Sequence, residues 1–183
     1  MPKIWVYRKG DDNPHACTAL RLAKAGDVEL VRSVNAIPRG SLLLDPFSQY
    51  ALSPADATFV GWHGLVLIDC SWEHAELVFK HVKNRVRRAL PFLIAGNPVK
   101  QDQPVNLSTA EALAAALYIL GWKDKALEIL NRFKWGAHFF TLNQDLLDKY
   151  ASCLTSREVV EVQLSELERR RDARNPPSVL DGI

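Results

Sequence analysis

The sequence predicts an α/β fold with a mixed-sheet N-terminal domain and a mainly helical C-terminal domain. Three observations carry this. Short apolar runs bounded by turn residues crowd the first half. Helix-start signatures crowd the second half. The composition shifts near residue 90, which places the domains at 1–90 and 91–183.

Taken in order, Ile4-Trp-Val-Tyr7 is a short apolar strand. Cys17 to Ala25 carries Ala19, Leu20, Leu22 and Ala23 at helical spacing and is closed by Gly26. Glu29 to Val34 and Ser41 to Leu44 are further strands, separated by the turn residues Ile37-Pro-Arg-Gly40. Leu65-Val-Leu-Ile68 is the strongest strand, an unbroken apolar run suited to burial on both faces. In the second half, Ser108-Thr-Ala-Glu111 is a capping box, in which hydroxyl and carboxylate satisfy the first free amides of a helix. The helix it opens, through Leu120, is apolar almost all round and so belongs in a core. Asp124–Phe133 and Asn143–Tyr150 are two more helices, and Thr155-Ser-Arg-Glu158 opens the last. The polar, proline-ended tail after Glu168 is expected to fray.

The chain has 183 residues, 48% hydrophobic and 24% charged, which excludes a disordered protein and provides for a real core. With 23 Lys and Arg against 21 Asp and Glu, the net charge is only +2, so any nucleic-acid surface must come from local clustering. No apolar run approaches the roughly 18 residues of a bilayer span. The N-terminus shows no signal-peptide pattern, so a cytoplasmic protein without membrane contact is expected. Cys17, Cys70 and Cys153 are scattered and odd in number, which argues against a disulfide framework or a zinc knuckle.

Four stretches could carry chemistry. Asp69-Cys-Ser-Trp72 follows the strongest strand, where ligands gather in open α/β sheets, although a capped strand end with a structural Trp has the same pattern. Leu90 to Pro98 ends in Ala-Gly-Asn-Pro, whose small bulk admits a ligand or another backbone, or simply marks a strand and turn. Pro104 to Thr109 leads into the buried helix, whose free amides attract carboxylates and phosphates, though most capping boxes are structural. Phe133 to Asn143 is dense in aromatics between two helices, and Trp135, Phe139 and Phe140 read as core. Glycine-rich phosphate loops are absent. His63, His74 and His81 are too loosely spaced for a metal site, so no metal is expected. Basic residues cluster from Lys80 to Arg88, with Lys83, Arg85, Arg87 and Arg88, and again at Arg8, Arg21 and Lys24. Such runs form either a solvated helix face or phosphate contacts.

In this order and at this spacing, Asp69 to Trp72, Leu90 to Val99, Ser108 to Gly121 and Trp135 to Asn143 resemble the small-subunit rRNA aminocarboxypropyltransferases of ribosome biogenesis, in their short archaeal form. The resemblance implies a SPOUT-like fold with a deep trefoil knot and a cofactor pocket at the domain junction. It implies transfer of the 3-amino-3-carboxypropyl group of S-adenosylmethionine to N3 of a modified pseudouridine in small-subunit rRNA. A SPOUT-like RNA methyltransferase and a noncatalytic RNA-binding assembly factor are the alternatives. By position, Thr18 and Thr109 match contacts to the methionine carboxylate, and Ile68 matches a residue lining the cofactor. Leu90 and Val105 match backbone readers of the adenine edge, and Trp72 matches an aromatic wall beside the sulfonium. Asp69 is the nearest carboxylate to accept the N3 proton. The partner implied is small-subunit rRNA or the pre-ribosomal small subunit, not DNA, bound by a monomer. The chain departs from the family at Lys100-Gln-Asp102 and at Val105, where relatives often carry Asn-Tyr-Gly and an aromatic.

Overall fold

The computed structural model describes residues 1–10, 17–84, 86–97 and 106–174. Among these, the elements run β1 (Ile4–Arg8), α1 (Thr18–Lys24), β2 (Glu29–Val31), β3 (Leu42–Leu44), α2 (Ala57–His63), β4 (Leu65–Asp69), α3 (Trp72–His81) and β5 (Arg87–Arg88). Four helices follow: α4 (Thr109–Ile119), α5 (Lys123–Asn131), α6 (Gly136–Ser152) and α7 (Ser156–Arg174). The strands form one sheet in the order β2-β1-β4-β3-β5.

Every pairing in that sheet is parallel, which corrects the expected mixed sheet. The reason is connectivity. Helices α1, α2 and α3 each carry the chain back along the sheet, and a crossover of this kind makes the next strand parallel. The sequence reading had no helix at α2 or α3. The residues of α2 include Thr, Val and Gly, poor helix formers that tertiary packing overrides. The strand expected over 29–34 stops at Val31 and gives way to a 3-10 turn over Val34–Ala36. The basic run from Lys80 to Arg88 is not one helix face, because it passes from the end of α3 into β5. The aromatic stretch expected between helices is the first half of α6, where Phe139 and Phe140 are buried as core.

Side chains divide between the two faces of the sheet with period two. Ile4, Val6, Leu42, Leu44, Leu65 and Leu67 enter the larger core with α4. Leu43 and Val66 enter a smaller one with Ile37, Ala75, Phe79 and Val82. Helix α4 is the hub of the larger core, touching β4, α1, α5 and α6. Ten of its eleven residues are apolar or uncharged, and all from Ala110 to Ile119 except Ala112 are buried. Full burial of Leu113 or Leu117 stabilises by about 1.5–3 kcal/mol each. Gly64 closes α2 at φ 78, and a Cβ there would lie 2.3 Å from the Trp5 ring, so β4 can start this tightly only after glycine. Among the described residues, no helix is long and apolar enough to cross a membrane.

Candidate functional site

Strand order dictates where a site can form. From β1 the chain turns to β2 on one side, and from β4 it turns to β5 on the other. The carboxyl ends of β1 and β4 therefore flank a crevice, the usual ligand position in an open parallel sheet. Arg8 and Asp69 end these strands as register partners. A cleft of about 930 Å³ opens there, lined by Thr18, Ile68, Asp69, Trp72, Leu90 and Thr109 among others. Six of the expected site residues thus come together from β4, three helix starts and the segment after β5. Val105 lies outside the described residues.

The floor of the cleft is a polar network. The Thr109 hydroxyl donates to Asp69 Oδ1 at 2.6 Å, and the Cys17 thiol donates to Oδ2 at 3.1 Å. Arg8 Nε donates to the Cys17 sulfur at 3.2 Å and stands 3.8 Å from the Asp69 carboxylate. Burial pushes the Cys17 thiol above its ordinary value and the Asp69 carboxylate adds to this, so the sulfur keeps its proton and serves as a donor. The Thr18 hydroxyl accepts the Ala110 amide at 3.2 Å, which fastens the start of α1 to the start of α4.

One wall is irregular backbone, residues 90–97, held by side chains from three helices. Glu111, fully buried in α4, accepts the Gly96 and Asn97 amides on one oxygen at 2.7 and 3.0 Å. Its other oxygen accepts the Ser108 amide and hydroxyl, both at 2.7 Å. Asn143 of α6 accepts from the Ile94 amide and donates to the Ile94 carbonyl, each at 2.8 Å. Gln163 of α7 accepts the Phe92 amide at 2.7 Å, and the Tyr150 hydroxyl donates to the Phe92 carbonyl at 3.1 Å. Gly96 passes so close to α6 that a Cβ would sit 2.7 Å from the Phe139 backbone. These bonds hold the irregular wall in one fixed shape.

Sequence reasoning missed Asn143, Tyr150 and Gln163, and gave Glu111 only its capping role. The available signal was chemical: a carboxylate on a helix otherwise apolar all round must find donors inside the protein.

The residues singled out for RNA do not form one patch. Lys24 and Lys83 are exposed. Arg21 donates to the Arg132 carbonyl at 2.9 Å and lies over the Phe133 ring. Arg8 belongs to the cleft floor. Arg87 pairs with buried Asp45 at 2.8 Å and Arg88 with buried Asp56 at 2.9 Å. Arg85 lies outside the described residues. Among the described residues, no three His, Cys, Asp or Glu side chains converge on a metal-sized position.

Residues 42–167 match the family described as "Ribosome biogenesis protein, C-terminal". A 16S rRNA aminocarboxypropyltransferase of Methanopyrus kandleri is 50% identical over 159 residues, covering 86% of this chain and 94% of that protein. The 16S rRNA aminocarboxypropyltransferase of Methanocaldococcus jannaschii is 43% identical over 163 residues, covering 89% and 95%. The solved structure of a SAM-dependent rRNA:acp-transferase from Vulcanisaeta distributa superposes with a TM-score of 0.80 at 42% identity, covering 92% of this chain and 97% of that one.

Proposed function

Because the chain belongs to the family of 16S rRNA aminocarboxypropyltransferases, we propose that it transfers the 3-amino-3-carboxypropyl group of S-adenosylmethionine to small-subunit rRNA, at N3 of a modified pseudouridine. The observation that carries this reading is the cleft between β1 and β4, where three helix starts meet an anchored backbone wall.

The cleft suits S-adenosylmethionine in size and in chemistry. Its volume of about 930 Å³ accommodates a nucleoside carrying an amino-acid chain. The starts of α1 and α4 and the Thr18 hydroxyl offer donors to a carboxylate, and Thr109, whose hydroxyl proton goes to Asp69, is assigned to it through its backbone amide. Leu90 in the wall is assigned to the adenine edge, as Val105 is by the family resemblance alone, and Ile68 supplies an apolar contact at the end of β4. Bound there, the sulfonium supplies an activated carbon and leaves as a neutral thioether, so the protein need not protonate a leaving group.

The remaining work is orientation and one proton. Trp72, at the first turn of α3, offers a broad ring face on which a methyl group packs and a cation is favoured, which turns the larger chain toward the RNA. Asp69 accepts from Thr109 on one oxygen and from Cys17 on the other, and a carboxylate oxygen can take more than one donor, so it is the acceptor we assign to the N3 proton. Lys24, Lys83 and Arg21 are assigned to phosphate contacts, with Arg85 beside them in the sequence, while Arg8, Arg87 and Arg88 act from within, held by Asp69, Asp45 and Asp56. The same reading takes residues 1–90 and 91–183 as two parts meeting at the cleft, tied by a SPOUT-type trefoil knot. It is supported by α4, which follows the wall segment in the chain and packs on both α1 and β4. The protein acts as a cytoplasmic monomer on the pre-ribosomal small subunit, with no role on DNA or membranes.

The test is mass spectrometry of small-subunit rRNA after incubation with the purified protein and S-adenosylmethionine. An added aminocarboxypropyl mass on a pseudouridine nucleoside is expected. An added methyl mass, or an unmodified nucleoside, would overturn the reading.

A further inference from the structure

We propose that Phe47 and Tyr50, on the rim of the cleft, form a stacking platform for unpaired bases that flank the modified nucleotide. This inference rests on the reading of the protein as an RNA-modifying enzyme and names a surface that selects its substrate.

The two rings stand on the loop that leaves β3 at the same sheet edge as the cleft. Phe47 is 53% exposed and Tyr50 is 64% exposed. Single exposed apolar residues are ordinary on any surface. What distinguishes these two is that the loop beneath them is pinned. Asp45, at 3% exposure, accepts the Phe47 amide at 2.9 Å and pairs with Arg87 at 2.8 Å. The Asp45 amide donates to the Arg88 carbonyl at 2.8 Å, the Ser48 hydroxyl donates to the Arg87 carbonyl at 3.1 Å, and the Ala89 amide donates to the Tyr50 carbonyl at 2.8 Å. A loop with this many internal bonds gives up the freedom to fold its rings inward, so the apolar faces stay in water until something covers them.

Position and chemistry point to RNA. Asp45 and Pro46 line the cleft, so the rings begin where the site ends. The Phe47 ring meets the Phe79 ring in a T-shaped contact at 5.7 Å and still leaves 53% of the residue in solvent. The Arg88 guanidinium lies 5.7 Å from the Tyr50 ring centroid and is itself anchored by Asp56. Aromatic rings and guanidinium planes are the surfaces on which proteins stack unpaired RNA bases. An enzyme that draws one base into a cleft must unstack its neighbours, and a stacking surface at the mouth returns part of that energy. Arg87 and Arg88 then act from beneath, as supports for the rim.

The experiment uses the protein, S-adenosylmethionine, and a synthetic small-subunit rRNA hairpin with a pseudouridine in its loop. Phe47→Ala and Tyr50→Ala are each expected to weaken hairpin binding roughly 5- to 100-fold. Tyr50→Phe, which keeps the ring, should bind within about twofold of wild type, and affinity for S-adenosylmethionine by calorimetry should be unchanged in all three. Hairpin affinity that is unaltered in both alanine variants would overturn the inference, including the case where activity falls only on intact pre-ribosomal subunits, which would assign the rim to a protein neighbour. Loss of S-adenosylmethionine affinity in parallel with RNA affinity would also overturn it. Should wild-type protein neither bind nor modify the hairpin, the functional reading itself fails, an outcome distinct from a wild type that works and a rim that does not matter.

Discussion

Trp72 is 48% exposed at the first turn of α3, so its ring is a wall of the cleft and contributes little to the core. That number separates two readings of the residue that the sequence left open. Truncating a buried Trp costs on the order of 3–5 kcal/mol of stability. Half of the Trp72 ring is already in water, so Trp72→Ala should remain folded. It should lose most of its affinity for S-adenosylmethionine, because the missing contact is with the ligand. Circular dichroism and a cofactor titration on one sample check both parts, and a folded variant with wild-type affinity would remove Trp72 from the site. At this scale the sequence was legible where a residue reaches the cleft from a strand end or helix start, as Asp69, Trp72 and Thr109 do. It was illegible where a residue acts through the backbone of a distant segment. Glu111 reaches Gly96 from 15 positions away and Asn143 reaches Ile94 from 49, and no local pattern records such a pairing.

Elements show the same division. The apolar run of β4 and the capping box of α4 are local signals, and both elements stand where the sequence puts them. Helix α3 was not expected, because its buried face is only Ala75, Val78 and Phe79, too short an apolar stripe to stand out in the sequence. Helix α7 is polar along most of its length and is held instead by charge. Its Glu166, 7% exposed, is bridged by Arg169 and Arg170 at 2.8 and 2.5 Å. The hydrogen bond from Arg169, and after it the contact with Arg170, lower the Glu166 carboxyl from 4.5 to about 2. A carboxyl depressed on folding stabilises the fold fully above its unfolded value, and the contribution fades as pH falls toward the folded value. The Tm of the wild type should therefore fall as pH drops from about 4.5 to about 2. Glu166→Gln should flatten that part of the profile and start from a lower Tm at neutral pH. An identical slope in the variant would show that α7 does not depend on this carboxylate.

For the whole molecule, the deciding fact is that the larger core ignores the composition shift near residue 90. It runs without a break from Ile4 and Val6 of β1, through Leu65 and Leu67 of β4, to Leu113 and Leu117 of α4 and Val159 of α7. The Thr18–Ala110 hydrogen bond and the paired contacts of Asp27 with Lys125 of α5 and with Arg132 just beyond it, each of these two at 2.9 Å, also tie the two halves. Two parts that differ in composition can still share one apolar interior. Here neither can lose the other without exposing α4, whose Leu side chains would each give up about 1.5–3 kcal/mol. Calorimetry should accordingly show a single unfolding transition. Saturating S-adenosylmethionine should raise that transition as a unit, since its cleft is built from both sides of the shift, and ligand at about 100 times its Kd adds about 2.7 kcal/mol. Two resolved transitions, or a ligand-induced rise confined to one of them, would mean that the halves fold independently and that the cleft belongs to only one.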